Sequence, residues 1–545
     1  MTPPSCRSLA LLALLVPLIG GAAPLRAQTA IATALRVTTS AGALDGRDSA
    51  GVAYWRNIPF AAPPIGPLRW RPPQPVAPWA APRDAAAFGA MCVQTDALVK
   101  LFGGQMEPVS EDCLTLNVWS AGDRVRRRPV MVWIHGGAFT HGSGRTSLYD
   151  GTRLAQQGVV VVTINYRVGI FGFLAHPALS AESPTRSSGM YGLLDQAAAL
   201  RWVQREIAAF GGDPDNVTIF GESAGAFSVG YHLVSPGSRG LFHRAILQSG
   251  SPYLFPLPLR GPDSLVTAEQ LGAKFAERAG VPSAADAAAR LRALPADSLL
   301  ALFGNGSVTE TIDGNFLLEP PAASLAAGRV ARVPVIIGSN ADESTILARN
   351  LKLSTEAQLD SAVKASYPSA FAERLRTLYP AEGPAGAVKA YRLLWTDDVF
   401  TAKARESARA LHRAGVPVYR YYYTRVAGGM TGLALGAFHA SEIPFVFGAS
   451  GVSSPVWGVT SYDSTLATTM SLAWSRFAIT GDPNGPGLSP WPRFTTAGDE
   501  TFEFGAHIGA IAGPRGPQLD LLGEVLAFRA RTAERLSIRA GGPAR

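Results

Sequence analysis

Six short apolar runs recur along the chain and leave little choice of architecture: "PVMVWIHGG" from Pro129, "VVVVTINYRVG" from Val159, "NVTIFGES" from Asn216, "RAILQSG" from Arg244, "VPVIIGSN" from Val333 and "VPVYRYYYT" from Val416. They are largely continuous rather than alternating, the pattern of strands buried on both faces in a parallel sheet. The segments between them supply the cover. In "LLDQAAALRWVQREIAAF", residues Leu194, Ala197, Ala198, Arg201 and Trp202 recur at helical spacing and "GGDP" ends the run. Ala284 to Leu300 and Val388 to Leu411 read as further covering helices, and the region between "LQSGS" and "VPVIIG" as a mostly helical insertion over one end of the sheet. The expected class is α/β, with a large, mostly parallel central sheet and helices on both faces. Ligands of such sheets bind outside the carboxyl ends of the strands.

Composition narrows the reading further. Of 545 residues, 47% are hydrophobic and 17% charged, which suits a large buried core and excludes a largely disordered chain. That length would allow several domains, but neither an internal repeat nor a low-complexity linker divides it, so residues 28–545 are read as one domain. The formal net charge of +8 raises the question of an anionic polymer as partner. Only "RVRRR", Arg124 to Arg128, forms a basic run, and it directly precedes a strand, so it reads as a solvated loop and not as a nucleic-acid surface.

The opening residues carry Arg7, an apolar run from Leu9 to Ile19, and small residues on the way to Gln28. This is the pattern of a secretory signal over residues 1–27, too short in its apolar run for an ordinary membrane span. The expected destination is the periplasm or the exterior, with no stable membrane anchor. Cys6 precedes the apolar run, so it is not placed like a lipoprotein cysteine. Removal of the leader leaves Cys92 and Cys113, which in an exported chain read as a disulfide. Closing that loop would stabilise the fold by roughly 3 kcal/mol. No C-x-x-C or H-E-x-x-H spacing points to a metal, and no cofactor is expected.

The chemistry centres on "GESAG", which sets Ser223 between two glycines where a strand gives way to a helix. Alone the motif decides little, since with 57 glycines roughly a third of a match arises by chance. A serine hydroxyl is a poor nucleophile at neutral pH and needs a histidine base, an acid to orient it and donors for an oxyanion. The order serine, acid, histidine, with a glycine-rich loop upstream, can be tested along the chain. Upstream, "HGGAFTHGSG" follows a strand, and the amides of Gly137 and Ala138 are the expected donors, with that of Ala224 as the third. Downstream, "VPVIIGSNADES" offers Asp342 and Glu343 side by side, between which the residues themselves do not choose. His412, His439 and His507 follow. His412 falls within a helical pattern, whereas His439 lies in a small-residue loop after "VYRYYYT".

At this point the chain resembles a type-B carboxylesterase, the carboxylesterase and cholinesterase branch of the α/β-hydrolase fold, in a bacterial-like exported form. The likeness rests on "NIPFAAPPIGPLRWRPP", "EDCLTLNVW", "HGGAFTHGSG", "GLLDQAAALRWVQREIAAFGGDPDNVTIFGESAG", "ILQSGS", "NADES", "FHASEIPFVFG" and "GDPNGPGLSPWP", all in one order. The resemblance implies Ser223 as nucleophile, Glu343 as acid, His439 as base, Gly137, Ala138 and Ala224 as oxyanion donors, and Cys92 with Cys113 as the family's first disulfide. Ala138 stands where the family usually has a third glycine, and Ser344 where it has a glycine after the acidic pair. Ser249 matches a further family serine, for which a structural role stands beside a catalytic one.

The activity so implied is hydrolysis of small-molecule carboxylic esters through an acyl-enzyme. In cholinesterases a tryptophan inside the first disulfide loop binds the cation, but "VQTDALVKLFGGQMEPVSED" contains none, and Ile346 and Leu347 stand where that branch tends to carry aromatics. A choline head would lose a cation–π partner worth about 2 kcal/mol. A more aliphatic site is expected. The alternatives are a narrower esterase, carbamate or amide hydrolase, including one acting on the side-chain esters of a toxin, and a non-catalytic cholinesterase-like binding protein. Retention of Ser223, Glu343 and His439 separates the chain from the last. Oligomeric state has no signature in the sequence.

Overall fold

The computed structural model describes residues 35–101, 106–253, 255–262, 264–282, 284–426, 428–448 and 461–539, so the expected leader lies outside the described residues. A 13-stranded sheet runs through the described chain. Its main strands are β1 (Leu35–Thr39), β2 (Gly42–Ser49), β3 (Val52–Pro59), β4 (Thr115–Ala121), β5 (Arg128–Ile134), β6 (Val160–Ile164), β7 (Gly212–Glu222), β8 (Arg244–Gln248), β9 (Val335–Asn340), β10 (Val418–Tyr423), β11 (Thr501–Phe504) and β12 (Ile508–Ile511). They lie in the order β1-β2-β3-β4-β6-β5-β7-β8-β9-β10-β11-β12. From β6 to β11 every neighbouring pair is parallel.

All six apolar runs become strands of this parallel core, and the reason is visible in the register. Phe220 faces Trp133 on one side and Ile246 on the other, Ile246 faces Ile336, and Ile336 faces Tyr419. These five side chains form one buried row on one face of the sheet. Their chain neighbours Val132, Ile219, Leu247, Ile337 and Val418 are buried on the other. Each large apolar side chain so removed from water contributes about 2 kcal/mol, and two buried faces explain why the runs do not alternate.

The edges follow other rules and were not legible as strands. Strands β1 to β4 pair antiparallel, as do β11 and β12. Within β4, Asn117 is buried, and its Nδ2 donates to Thr163 Oγ1 at 3.0 Å while Oδ1 accepts from the Asn57 amide at 3.1 Å. A satisfied polar residue inside a buried strand breaks the apolar run on which the sequence reading relies.

The helices lie where expected. Helix α1 (Tyr191–Glu206) covers the sheet, and α2 (Ala224–Val234) leaves it directly after β7. The insertion after β8 carries α3 (Ala268–Arg278), α4 (Ala287–Ala293), α5 (Ala296–Phe303) and α6 (Pro321–Ala326), with one small parallel strand pair, Leu257–Pro258 against Thr311–Ile312. Later come α7 (Gly386–Thr396), a π-helical turn over Asp397–Thr401, and α8 (Ala402–Arg413), which contains His412 as expected.

Candidate active site

Four parallel strands end at one place, and their carboxyl ends deliver the site. At the end of β7 the chain turns through Ser223, with φ 55° and ψ −123°, and enters α2 at once. A side chain in that region of φ is strained by roughly 1–2 kcal/mol. The flanking glycines are steric necessities. A Cβ on Gly225 would lie 1.9 Å from the Ile134 carbonyl oxygen, and one on Gly221 would lie 2.6 Å from the same atom. The end of β5 thus crosses directly over the turn. The Ser223 amide donates to the Gln248 carbonyl at 2.9 Å, and its carbonyl accepts from Phe227 at 2.9 Å.

The loop after β5 lies against this turn. A Cβ on Gly136 would approach Ser223 Cβ to 3.2 Å and Glu222 Oε2 to 2.8 Å. Gly137, with φ 110°, offers its carbonyl to the amides of Thr140 and His141 at 3.0 and 2.9 Å, which folds the loop back on itself. Among the described residues the amides of Gly137, Ala138 and Ala224 have no acceptor. Ala138 has φ 54°, so the alanine in place of a glycine adopts the left-handed backbone without one. Beneath the loop, burial holds the His135 imidazole down to about 4, which keeps it neutral, and it stacks on Tyr166 with centroids 4.2 Å apart.

The Cys92–Cys113 disulfide is present, with S–S 2.06 Å. Its function in the site runs through Gln94, whose Nε2 donates to the Gly142 carbonyl at 2.8 Å and whose Oε1 accepts from the Gly142 amide at 2.7 Å. The cross-linked loop clamps the amide loop.

Past β9, Asp342 and Glu343 part company. Asp342 Oδ2 accepts from the Ala437 amide at 2.8 Å, whereas Glu343 Oε2 accepts from His439 Nδ1 at 2.6 Å and Oε1 from the Asn340 amide at 2.7 Å. Asn340 also fixes the histidine loop, since its Nδ2 donates to the Phe438 carbonyl at 2.9 Å and to Glu442 Oε2 at 2.6 Å. The Phe400 ring covers the imidazole with centroids 5.0 Å apart. His439 Nε2 lies 3.1 Å from Glu222 Oε1, but off the N–H direction, so this oxygen has no hydrogen-bond partner. Among the described residues Ser223 Oγ makes no hydrogen bond, so the structure brings Glu343 to His439 and leaves the serine–histidine contact open. Such contacts are often loose before substrate binds. Ser249, fully buried with φ 51°, donates its amide to Gly338 at 2.9 Å, a placement between strands.

Two residues of the site went unread in the sequence. Glu222 and Glu442 are both buried. Burial pushes the Glu222 carboxyl up to about 8, opposed by His439 and reinforced by Glu442 and Glu343. Burial also raises Glu442, whose oxygens are held by Asn340 and by Gln248 Nε2 at 2.9 Å. For His439 burial acts downward, but the carboxylates of Glu222 and Glu343 outweigh it and raise the imidazole above its ordinary value. The signal for both was an acid in apolar surroundings, "IFGES" and "SEIPFVF", since acids are rarely buried without a partner.

With this geometry in place, comparison with known proteins is informative. The Carboxylesterase family profile matches residues 33–519. The chain is 39% identical to a fumonisin B1 esterase of Sphingopyxis macrogoltabida, covering 90% of each. It is 36% identical to a para-nitrobenzyl esterase of Bacillus subtilis, over 87% of this chain and 95% of that one. A solved carboxylesterase of Geobacillus stearothermophilus superposes with a TM-score of 0.78 at 35% identity, covering 90% of this chain and all of its own. A sheet with this strand order, a serine turn at its centre and a match along nearly its whole length lead to one conclusion: the chain belongs to the carboxylesterase family.

Proposed function

We propose that this chain is an exported serine esterase that hydrolyses small-molecule carboxylic esters through Ser223, His439 and Glu343. The observation that carries the reading is the 2.6 Å pair of His439 Nδ1 and Glu343 Oε2. It fixes the tautomer in which Nε2 is free to take a proton. Ser223 Oγ attacks the ester carbonyl as Nε2 receives its proton, and the amides of Gly137, Ala138 and Ala224 stabilise the oxyanion. The imidazolium then protonates the leaving alcohol. Water, deprotonated by the same nitrogen, releases the acid and restores the serine. Glu343 holds the ring and stabilises its charged form. The neutral His135 beneath the loop adds no competing charge.

The expected preference is for uncharged, aliphatic esters over choline esters. Ile346 is buried, and Leu347 is 45% exposed, so of the aliphatic pair only Ile346 is held inside the protein. The likeness to a fumonisin B1 esterase supports a second reading, a narrower esterase whose substrate resembles fumonisin B1. A panel of nitrophenyl esters of graded acyl length, run beside Ser223→Ala, tests both. Hydrolysis lost in the variant supports the mechanism, activity confined to one acyl length supports the narrower reading, and full activity in the variant overturns the first.

A further inference from the structure

Lys403 is a cation in an apolar place. It is 7% exposed and stands one turn beyond Phe400, the residue that covers the His439 imidazole. The π-helical turn runs unbroken into α8, so Phe400 and Lys403, three apart, share a helix face. The ammonium lies 6.0 Å from the centroid of the Phe255 ring, which belongs to the chain leaving β8. Among the described residues no acceptor hydrogen-bonds this ammonium and no carboxylate comes within ion-pair distance.

The neighbouring acids are otherwise engaged. Asp398 accepts from Arg529 Nη1 at 2.9 Å and from the Tyr367 hydroxyl at 2.9 Å. Glu310, buried beside the Thr311–Ile312 strand, acts on Lys403 only at longer range. A largely buried lysine whose ammonium makes no hydrogen bond or ion pair is costly, and one helical turn from the residue that covers the His439 ring it is a candidate for binding an anion. Phe255, the ring beside the ammonium, is 39% exposed and so lies at the surface.

We propose that Lys403, between Phe255 and Phe400, forms a subsite for a second, ionised carboxylate carried by the ester substrate. The inference rests on the esterase reading and names a substrate class within it. An incoming carboxylate supplies the partner that the ammonium lacks. Burial lowers the Lys403 pKa, and Arg529 adds to this while Asp398 and Glu310 oppose it, so a carboxylate in the subsite favours the charged form. Glu310 does not exclude such a ligand. Its carboxyl is pushed up to about 7, chiefly by burial, and in its protonated form it can donate to the ligand. The excess of basic over acidic residues favours the approach of anionic esters at long range.

The test compares 4-nitrophenyl valerate with the 4-nitrophenyl hemiester of glutaric acid, and ethyl butyrate with the butyryl ester of glycolic acid. The two pairs place the free carboxylate on the acid and on the alcohol. Wild-type protein is expected to show a higher kcat/KM for the charged member of at least one pair. In Lys403→Met the charged-to-neutral ratio of kcat/KM should fall roughly 10- to 100-fold, through KM, as for loss of a buried charge-assisted hydrogen bond. Lys403→Arg should keep most of the ratio. The subsite is overturned if wild type favours the neutral member of both pairs, or if Lys403→Met lowers both members alike with an unchanged thermal midpoint. Should Lys403→Met not fold, the wild-type and Lys403→Arg ratios still decide. Failure of the esterase reading would look different: the neutral esters would be untouched by wild type, or cut equally well by Ser223→Ala.

Discussion

His439 is one imidazole among three buried carboxyl groups, Glu222, Glu343 and Glu442, and its working pH follows from that company. In the proposed mechanism the base is the neutral ring. A pKa raised by Glu222 and Glu343 means that the base form is lost as pH falls through a value above the ordinary 6.5. Removing the Glu222 charge lowers that pKa, so Glu222→Gln should shift the acid limb of kcat/KM on a neutral ester to lower pH. A limb that stays in place, or moves up, would deny Glu222 this influence. Glu343 and Asp342 separate just as clearly. Glu343→Gln should reduce kcat by roughly 1,000-fold or more through loss of the correct tautomer, while Asp342→Asn should leave kcat close to wild type, because Asp342 only ties down the Ala437 amide. Sequence alone could not separate these neighbours, since both acids follow the same strand end and only the backbone between them decides which meets the imidazole. Glu222 and Glu442 stayed hidden because their partners, His439, Asn340 and Gln248, are distant in sequence.

The working element is the turn between β7 and α2, built by the close crossing of β5. Because a Cβ on Gly225 would collide with the Ile134 carbonyl, Gly225→Ala should destabilise the protein by about 1–3 kcal/mol and displace Ser223. Thermal unfolding and ester hydrolysis should both report it; a variant as stable and active as wild type would contradict the packing argument. The Cys92–Cys113 loop acts on the neighbouring element. Replacing both cysteines by alanine should cost roughly 3 kcal/mol, and should lower kcat as Gln94 loosens its clamp on Gly142. Gln94→Ala keeps the cross-link and removes only the clamp, so kcat should fall while stability drops by about 1–3 kcal/mol from the unpaired Gly142 amide and carbonyl. The sequence marked this turn and the parallel strands around it well, because glycine spacing and unbroken Val and Ile runs are local signals. The antiparallel edges were not legible. Their stability comes from cross-strand pairing and from polar groups such as Asn117, satisfied by residues far away in the chain.

On the scale of the whole molecule, one sheet spans the described chain, and long insertions follow β8 and β9. The family determines the kind of bond that is cut, and the walls contributed by these insertions determine which bond. Without a tryptophan in the first disulfide loop, the protein should hydrolyse an uncharged butyrate ester with a markedly higher kcat/KM than butyrylthiocholine. Equal efficiency on the two would contradict an aliphatic site. No helix among the described residues is long and apolar enough to cross a membrane. Beneath the question of substrate lies the central claim that Ser223 is the nucleophile. The most direct measurement is mass spectrometry of the protein after reaction with diethyl 4-nitrophenyl phosphate, alongside residual esterase activity. The account predicts a single diethylphosphoryl group on Ser223, formed in proportion to activity lost, and absent from both Ser223→Ala and the unfolded chain. A stoichiometric adduct on another residue, or full activity with Ser223 modified, would contradict it.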